Sequence, residues 1–470
     1  MKKISLYTGL LAICALLATS CEKADLGAGV TTNKGLLNFS IAVPGQTTLY
    51  SARVAGPYND GDTIYVEVPT TDDNPLDVTR LKAEASLENN AVLTPALGEI
   101  LDFSSPLNIT VKDGLGAIRH HVVKVLPTLP KTVFSKLWFK TAADLGVLRT
   151  NITGATVAGG HLLIADFNQG SLAADVGVRV YDKFTGAFSH IIAPPTTYCQ
   201  QVTADDGGHF AVNRYNIYGA GFMLYYYETV NSAPKLILNY TNAMGAPVNL
   251  GQRVSIIGNL KEGKAYVYAT CGSVNSFYFW EFHDGVPVSV TPTAVRFASA
   301  NPWTYALVKR KSLDDVSDHY ITYCNYVSPD ANLANGSRFC AFPLDMNLTQ
   351  MNTANHYYKI LGFDVFDMHG DKFLALLQQG YAAWDATNIR VFEITDQSKL
   401  TMAPGAEGYN SFQLFDSDIY GGTNYNRVGD IVTDIIGNDV YFYATMGTNA
   451  NTTANTTAGV MCYKMTYYPR

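Results

Sequence analysis

Two aspartates are the residues best suited to bond-breaking chemistry, Asp364 and Asp430. Cleavage of a glycosidic bond needs two carboxylates facing each other across the bond. These two fall in successive repeats of the chain, so a fold that brings those repeats together would let them meet near a channel mouth. Both also fit strand-end and turn positions, which makes a hydrolase or lyase the alternative reading. Around them the usual catalytic signatures are missing. There is no Gly-x-Ser-x-Gly elbow, phosphate loop or calcium loop. His319, His356 and His369 lack metal-ligand spacing, so neither a metal nor a cofactor is expected.

Aromatic and amide side chains cluster in segments that read as loops. Tyr381, Trp384, Asp385 and Asn388 form one group. Tyr409, Tyr420, Asn424, Tyr425, Asn426 and Arg427 form a second, and Asn213, Arg214, Tyr215, Asn216 and Tyr218 a third. A flat ring stacks on the C–H face of a sugar while amides and carboxylates take its hydroxyls. The ligand-binding candidates are therefore Trp384, Tyr381, Asn388, Tyr425, Asn424, Arg427, Arg214 and Tyr215. Tyr-rich loops also simply fill space, and that reading stands beside the first.

Composition narrows the partners. Charged residues make up 16% of the chain, and polarity rests on Asn, Thr, Ser, Gly and 30 Tyr. Such a surface suits a hydroxyl-rich ligand. The net charge is −7 and no basic block occurs, so no nucleic acid is expected.

The first residues are a targeting segment. Met1-Lys2-Lys3 is followed by an apolar run from Leu6 to Ala18 and by Thr19-Ser20-Cys21. A basic end, an apolar middle and small residues at the cut make a signal peptide over 1–20, too short to span a bilayer. Its loss removes two of the 33 basic residues and none of the 40 acidic ones, which moves the net charge to −9. The cut site resembles the bacterial lipoprotein signal, in which the cysteine carries the lipid. It departs from the usual pattern in having Ala18 where a large aliphatic residue is common. The resemblance makes Cys21 the lipidated residue and 21–34 a flexible tether. It implies attachment to the outer membrane through the lipid alone, surface-exposed or facing the periplasm. Five cysteines remain, Cys199, Cys271, Cys324, Cys340 and Cys462, widely spaced and expected as buried small hydrophobes.

The elements that must position these residues are all strands. Residues 35–127 alternate in the period of strands, as in Thr63–Pro69, with turns at Asp60-Gly61 and Asp113-Gly114. Leu126-Pro127-Thr128-Leu129-Pro130 is expected to stop the ladder and mark the boundary. From 131 to 470 the punctuation repeats, with turn positions at Gly160, Gly208, Gly263, Asp318, Gly370 and Gly437, spaced 48, 55, 55, 52 and 67 residues apart. Four short strands per period of this size predict a β-propeller of about six blades, with Thr132 to Lys140 completing the last. Short turns alternate with long connections, which places the long loops on one face. Thr401 to Arg427 is expected as the longest link between units.

Residues 35–127 resemble the N-terminal immunoglobulin-like domain of a family of Bacteroidetes lipoproteins. The matching segments are Thr63 to Pro69, Asp77 to Lys82, Pro95 to Gly98, Asp102-Phe103-Ser104 and Ile118 to Val125. The resemblance implies an immunoglobulin-like β-sandwich followed by a propeller. It further implies a surface or periplasmic lipoprotein beside glycan-uptake systems, with an outer-membrane uptake complex as its expected partner. It carries no catalytic residue, and Phe103 is expected to pack inward. Three function classes follow: a glycan-binding envelope lipoprotein, a glycoside hydrolase or lyase, and a protein-binding or structural envelope protein.

Overall fold

The computed structural model describes residues 35–45, 49–70, 75–146, 154–168, 170–296, 304–324, 337–342, 348–357, 359–380, 387–406, 408–420, 426–448 and 458–469. Regular structure among them is strand, with only short 3-10 turns besides. None of the described helices is long and apolar enough to cross a membrane. The chain divides into two compact units at Pro130/Lys131.

The N-terminal unit contains two four-stranded sheets. One orders its strands Leu49–Ser51, Leu36–Ala42, Leu81–Leu87 and Ile100–Leu101; the other orders Thr63–Pro69, Ile118–Thr128, Leu107–Lys112 and Val92–Thr94. Their inward positions follow the period of two. Ile64, Val66 and Val68 of one sheet and Phe39, Ile41, Leu81 and Ala83 of the other share a single core. Phe103 joins that core, and its neighbour Asp102 accepts the Ser104 amide at 2.8 Å. Pro127 does not stop the ladder: the strand Ile118–Thr128 runs through it, paired in parallel with Thr63–Pro69. The antiparallel partner on the other side ends at Val123, so Pro127 has a neighbour on one side only. A missing N–H costs little there.

The C-terminal unit contains six sheets in chain order, here I to VI. Their innermost strands are Ala155–Ala158, Cys199–Ala204, Leu250–Gly258, Thr304–Arg310, Lys359–Met368 and Asn426–Ile436. In each sheet the strands follow one another as an antiparallel meander. Sheet III splits its outer position between Val286–Pro287 and Thr293–Arg296. Sheet VI takes its fourth strand from the start of the unit, Thr132–Thr141, paired with Gly459–Tyr467. Each innermost strand contacts that of the next sheet, and the strand of sheet VI contacts that of sheet I. Apolar faces pack between neighbouring sheets, as where Trp280 of sheet III stacks on Phe222 of sheet II at 5.2 Å. Cys199, Cys271, Cys340 and Cys462 are buried in these strands.

Because the strands alternate in direction, turns from first to second and third to fourth strand lie at one end of each sheet. The first-to-second turns are the tight ones, and this is called the tight-turn end. The segment 401–427 is not one link between sheets. It contains Gln413–Asp416, the outer strand of sheet V, paired with Thr387–Glu393. The connection from Glu393 to Gln413 therefore lies at the tight-turn end, so not all long connections share one face. Its Tyr409 hydroxyl bonds Asn355 Oδ1 at 2.9 Å and Gln413 Oε1 at 2.8 Å.

Candidate functional site

An innermost strand pairs on one edge only, so its other edge must find hydrogen-bond partners elsewhere. Here side chains of adjacent sheets supply many of them, at every junction. The Ala204 amide donates to Thr156 Oγ1 at 2.9 Å, between sheets I and II. The Val254 amide donates to Gln201 Oε1 at 2.8 Å, and that of Gly258 to Asp206 Oδ2 at 2.6 Å, between II and III. Thr270 Oγ1 donates to the Ala306 carbonyl at 2.8 Å, between III and IV. Lys309 Nζ meets Asp364 Oδ1 at 2.7 Å, between IV and V. Asp364 Oδ2 accepts the Thr433 amide and hydroxyl, both at 2.8 Å, between V and VI. Lys183 Nζ meets Asp434 Oδ2 at 2.6 Å, between VI and I. Such bonds contribute about 1 kcal/mol each, and losing one partner costs more than that.

Enclosed by these strands is a cavity of about 400 Å³, lined by residues from all six sheets. Where the cavity ends, away from the tight turns, Arg253 crosses between the innermost strands from sheet III to sheets V and VI. Its guanidinium meets Asp430 Oδ1 at 2.7 Å, the Gly429 carbonyl at 3.1 Å and the Leu361 carbonyl at 3.3 Å. Gln201 Nε2 donates to Asp430 Oδ2 at 3.2 Å. Burial pushes the Asp430 carboxyl above the usual carboxylate range, against the pull of Arg253 and then Lys309. Gly362 is required beside it, because a Cβ there would lie 2.9 Å from Asp430 Oδ1. The lining extends from this end past Lys309, Asp364 and Thr433 to Asp205, Asp206 and Lys311 near the tight turns.

Asp364 and Asp430 thus sit within strands of adjacent sheets and line the same cavity. Neither is free for acid–base work. Asp364 is held by Lys309 and Thr433, and Asp430 by Arg253 and Gln201. A pair that hydrolyses glycosides needs one proton donor and one unencumbered base or nucleophile. No group of three or more metal-ligating side chains occurs among the described residues.

At the other end of the sheets, the candidates separate. Asn388 is not in a loop but in the strand Thr387–Glu393, 1% exposed, bonded by Gln378 Nε2 at 3.0 Å and donating to Asp416. Tyr215 is buried, and its hydroxyl donates to Asn249 Oδ1 at 2.8 Å. Arg214 is half-buried beside Met223. Asn216 is fully buried; its amide nitrogen reaches Asn242 Oδ1 at 3.0 Å and the Pro247 carbonyl at 2.7 Å, and its oxygen accepts the Gly221 amide at 2.7 Å. These bonds anchor a short loop whose tip, Tyr218, is 84% exposed. Tyr218 and Tyr198 both have left-handed backbones, φ 54° and 61°, and their rings meet edge to face at 6.4 Å. A bulky side chain in that region is strained by about 1–3 kcal/mol. Trp384, Tyr381, Asn424, Tyr425 and Cys21 lie outside the described residues, as does the side chain of Arg427.

Residue types alone passed over Gln201, Arg253, Lys309 and Lys311. The signal was present, since each is a polar residue inside the otherwise apolar first strand of a repeat or just beyond it. Tyr198, between an inter-sheet link and a strand, carried no local signal.

Comparison with known proteins gives families before functions. The family described as Domain of unknown function (DUF5018) matches residues 16–125. The family described as Domain of unknown function (DUF8500) matches residues 137–460. No curated protein matches the sequence. Among solved structures, a DUF4623 family protein from Bacteroides eggerthii is 14% identical, with a TM-score of 0.53 over 92% of this chain and 98% of its own. A subtype N11 neuraminidase-like protein of a flat-faced bat virus (H18N11) is 8% identical, with a TM-score of 0.40 over 72% of this chain and 94% of its own. A mutant of AofleA from Arthrobotrys oligospora is 9% identical, with a TM-score of 0.40 over 67% and 84%. The first likeness concerns the fold alone, and the other two are too distant to carry an argument. With more than half of its length matched by one family, the chain belongs to the DUF8500 family.

Proposed function

We propose that this chain is a lipid-anchored protein of the outer membrane that binds a neutral glycan without cleaving it. In this reading the N-terminal unit is an immunoglobulin-like sandwich, and sheets I to VI are the blades of a six-bladed β-propeller. The glycan lies on the end opposite the tight turns, and the protein serves an uptake complex as a binding accessory. The observation that carries the reading is the Tyr198–Tyr218 pair, a strained and exposed aromatic platform on an anchored loop. Strain of this kind persists where surrounding structure over-determines it, and such positions cluster at ligand clamps. Arg214 flanks the pair and supplies a donor for hydroxyls. The commitment of Asp364 and Asp430 to other partners disfavours the hydrolase alternative.

The test is a glycan array probed with the chain lacking residues 1–21, followed by titration of the best neutral glycan. Tyr218→Ala is expected to weaken binding at least tenfold with little change in the thermal unfolding curve. Equal affinity of mutant and wild type would remove the platform from the site. Release of a reducing end during the titration would bring back the hydrolase reading. For the anchor, Cys21→Ser is expected to move the protein out of the membrane fraction; retention there would place the anchor elsewhere.

A further inference from the structure

Beside the exposed tyrosine pair stands a cation that the fold leaves uncompensated. Arg214 ends the second strand of sheet II, Phe210–Arg214, directly opposite Cys199 of the innermost strand. Tyr198 is the residue just before Cys199, and its carbonyl accepts the Tyr215 amide at 3.0 Å. The loop that displays Tyr218 starts immediately after Arg214. Arg214 is half-buried, and its guanidinium meets the Met223 sulfur at 3.7 Å, a weak acceptor. Its Nε is buried without a hydrogen-bond partner. Among the described residues no carboxylate pairs with it.

Other arginines with little exposure are matched to oxygen. Arg119 meets Asp113 at 2.8 Å, Arg179 meets Asp166 at 2.7 Å, Arg253 meets Asp430 at 2.7 Å and Arg390 meets Asp416 at 3.0 Å. Arg310 donates to the Ser312 carbonyl at 2.7 Å. A guanidinium cannot shed its charge near neutral pH. Half-buried, Arg214 has lost part of its hydration, and a thioether returns little of it. A sugar hydroxyl occupies one of its five N–H donors and leaves the charge as it was. An oxyanion takes two of those donors in parallel and neutralises the charge.

We propose that Arg214 is an anion subsite beside the Tyr198–Tyr218 platform, and that the glycan bound there carries a carboxylate or a sulfate. This rests on the glycan reading of the same site and narrows it: the ring on the tyrosines is neutral, and the sugar unit next to it bears the acid. The hydroxyl contact of Arg214 uses the donors that the oxyanion leaves over.

The experiment probes the full chain with an array of oligosaccharides in matched pairs. Each uronate-bearing sugar stands beside its carboxyl-reduced form, and each sulfated sugar beside its desulfated form. The tightest binders are expected to carry an acid, and its removal to weaken them about tenfold or more. Whether the uronate or the sulfate pairs show this identifies the source of the anion. Arg214→Gln is expected to erase the discrimination and to melt no lower than wild type, because the fold loses no oxygen partner. Arg214→Lys keeps the charge without the planar fork and should retain part of the discrimination. Discrimination that survives Arg214→Gln, or unfolding of that variant, would overturn the subsite. Neutral sugars binding as tightly as their acidic partners would overturn it too, and would leave the neutral-glycan reading standing. Failure of every sugar to bind would overturn both. Discrimination and affinity unchanged by Tyr218→Ala would support the subsite and remove the platform.

Discussion

At the centre of the innermost strands, where the cavity ends, Arg253 and Asp430 meet at 2.7 Å with both side chains under a tenth exposed, and Gln201 completes the carboxylate. Near the tight turns, Lys311 stands 3.9 Å from Asp318, and Lys372 of sheet V stands 3.9 Å from Asp367. Cations meet carboxylates in both places, and the consequences differ. In the centre every charge has a directed partner, and a buried pair of this kind ties opposite strands together at a high desolvation cost. At the mouth water screens the mismatch, so the fold tolerates charges that it does not itself satisfy. Charge saturated in this way reads as structure, and the looser pairs near the tight turns read as solvated surface.

The sharpest way to break this comparison is to remove one central charge. Arg253→Met leaves Asp430 buried without its cation and should cost about 3–5 kcal/mol by chemical denaturation. Adding Asp430→Leu should recover part of that loss, since it removes the orphaned charge. A loss under about 1 kcal/mol for Arg253→Met would show that the centre is no better compensated than the mouth.

Next in size is a pH effect from titratable groups that have no counter-charge in contact. Burial, and then Arg310, hold His319 down to about 4; burial also holds His356 at about 4. An unfolded histidine titrates near 6.5, so between about 6.5 and 4 the unfolded chain binds the extra proton. Stability therefore falls as pH drops through that window and levels off below it, by about 3 kcal/mol for each histidine. Thermal unfolding between pH 7 and 4 measures this. His319→Phe should flatten the acid limb, and an unchanged slope would mean that His319 is protonated in the fold.

Between centre and mouth lies Lys309, whose side chain is 26% exposed. Lys309→Met should cost about 1–2 kcal/mol in the same denaturation, because Asp364 keeps its Thr433 bonds. By contrast Lys311→Gln should stay within about 0.5 kcal/mol of wild type, and a loss as large as that of Arg253→Met would erase the distinction between the two regions.

The smallest expected effect is at the far end of the sheets. Tyr218→Asn removes the displayed ring and puts a residue tolerant of the left-handed region at φ 54°. Stability should be unchanged or higher by up to about 1 kcal/mol, while glycan affinity falls. Destabilisation beyond that range would mean that the ring packs rather than displays.

Much of the strand layout could be read from the chain. The apolar runs at Leu162 to Ala165, Ala265 to Ala269 and Phe373 to Leu377 are second strands of sheets, buried on both faces. Hydrophobic runs bounded by Gly or Asp turns make that visible without tertiary information. Thr132 to Lys140 was also legible as the missing partner of the last repeat, because six units left one strand short. The outer strand Gln413–Asp416 was not. It is short and partly exposed, so no periodicity marks it.

Candidate site residues divide along the same line. Sequence by itself determined which residue types are available: carboxylates inside repeats, aromatics between strands, and a cysteine after an apolar leader. It could not tell that Asn388 and Tyr215 would turn inward, because an amide or a hydroxyl suits a buried hydrogen bond as well as a ligand. Nor could it pair Arg253 with Asp430, which lie 177 residues apart. Local pattern fixes the period of each strand, whereas the partner of a charge depends on which strands the packing brings side by side. That is why tertiary structure alone decided that Asp430 is braced by Arg253 and Gln201.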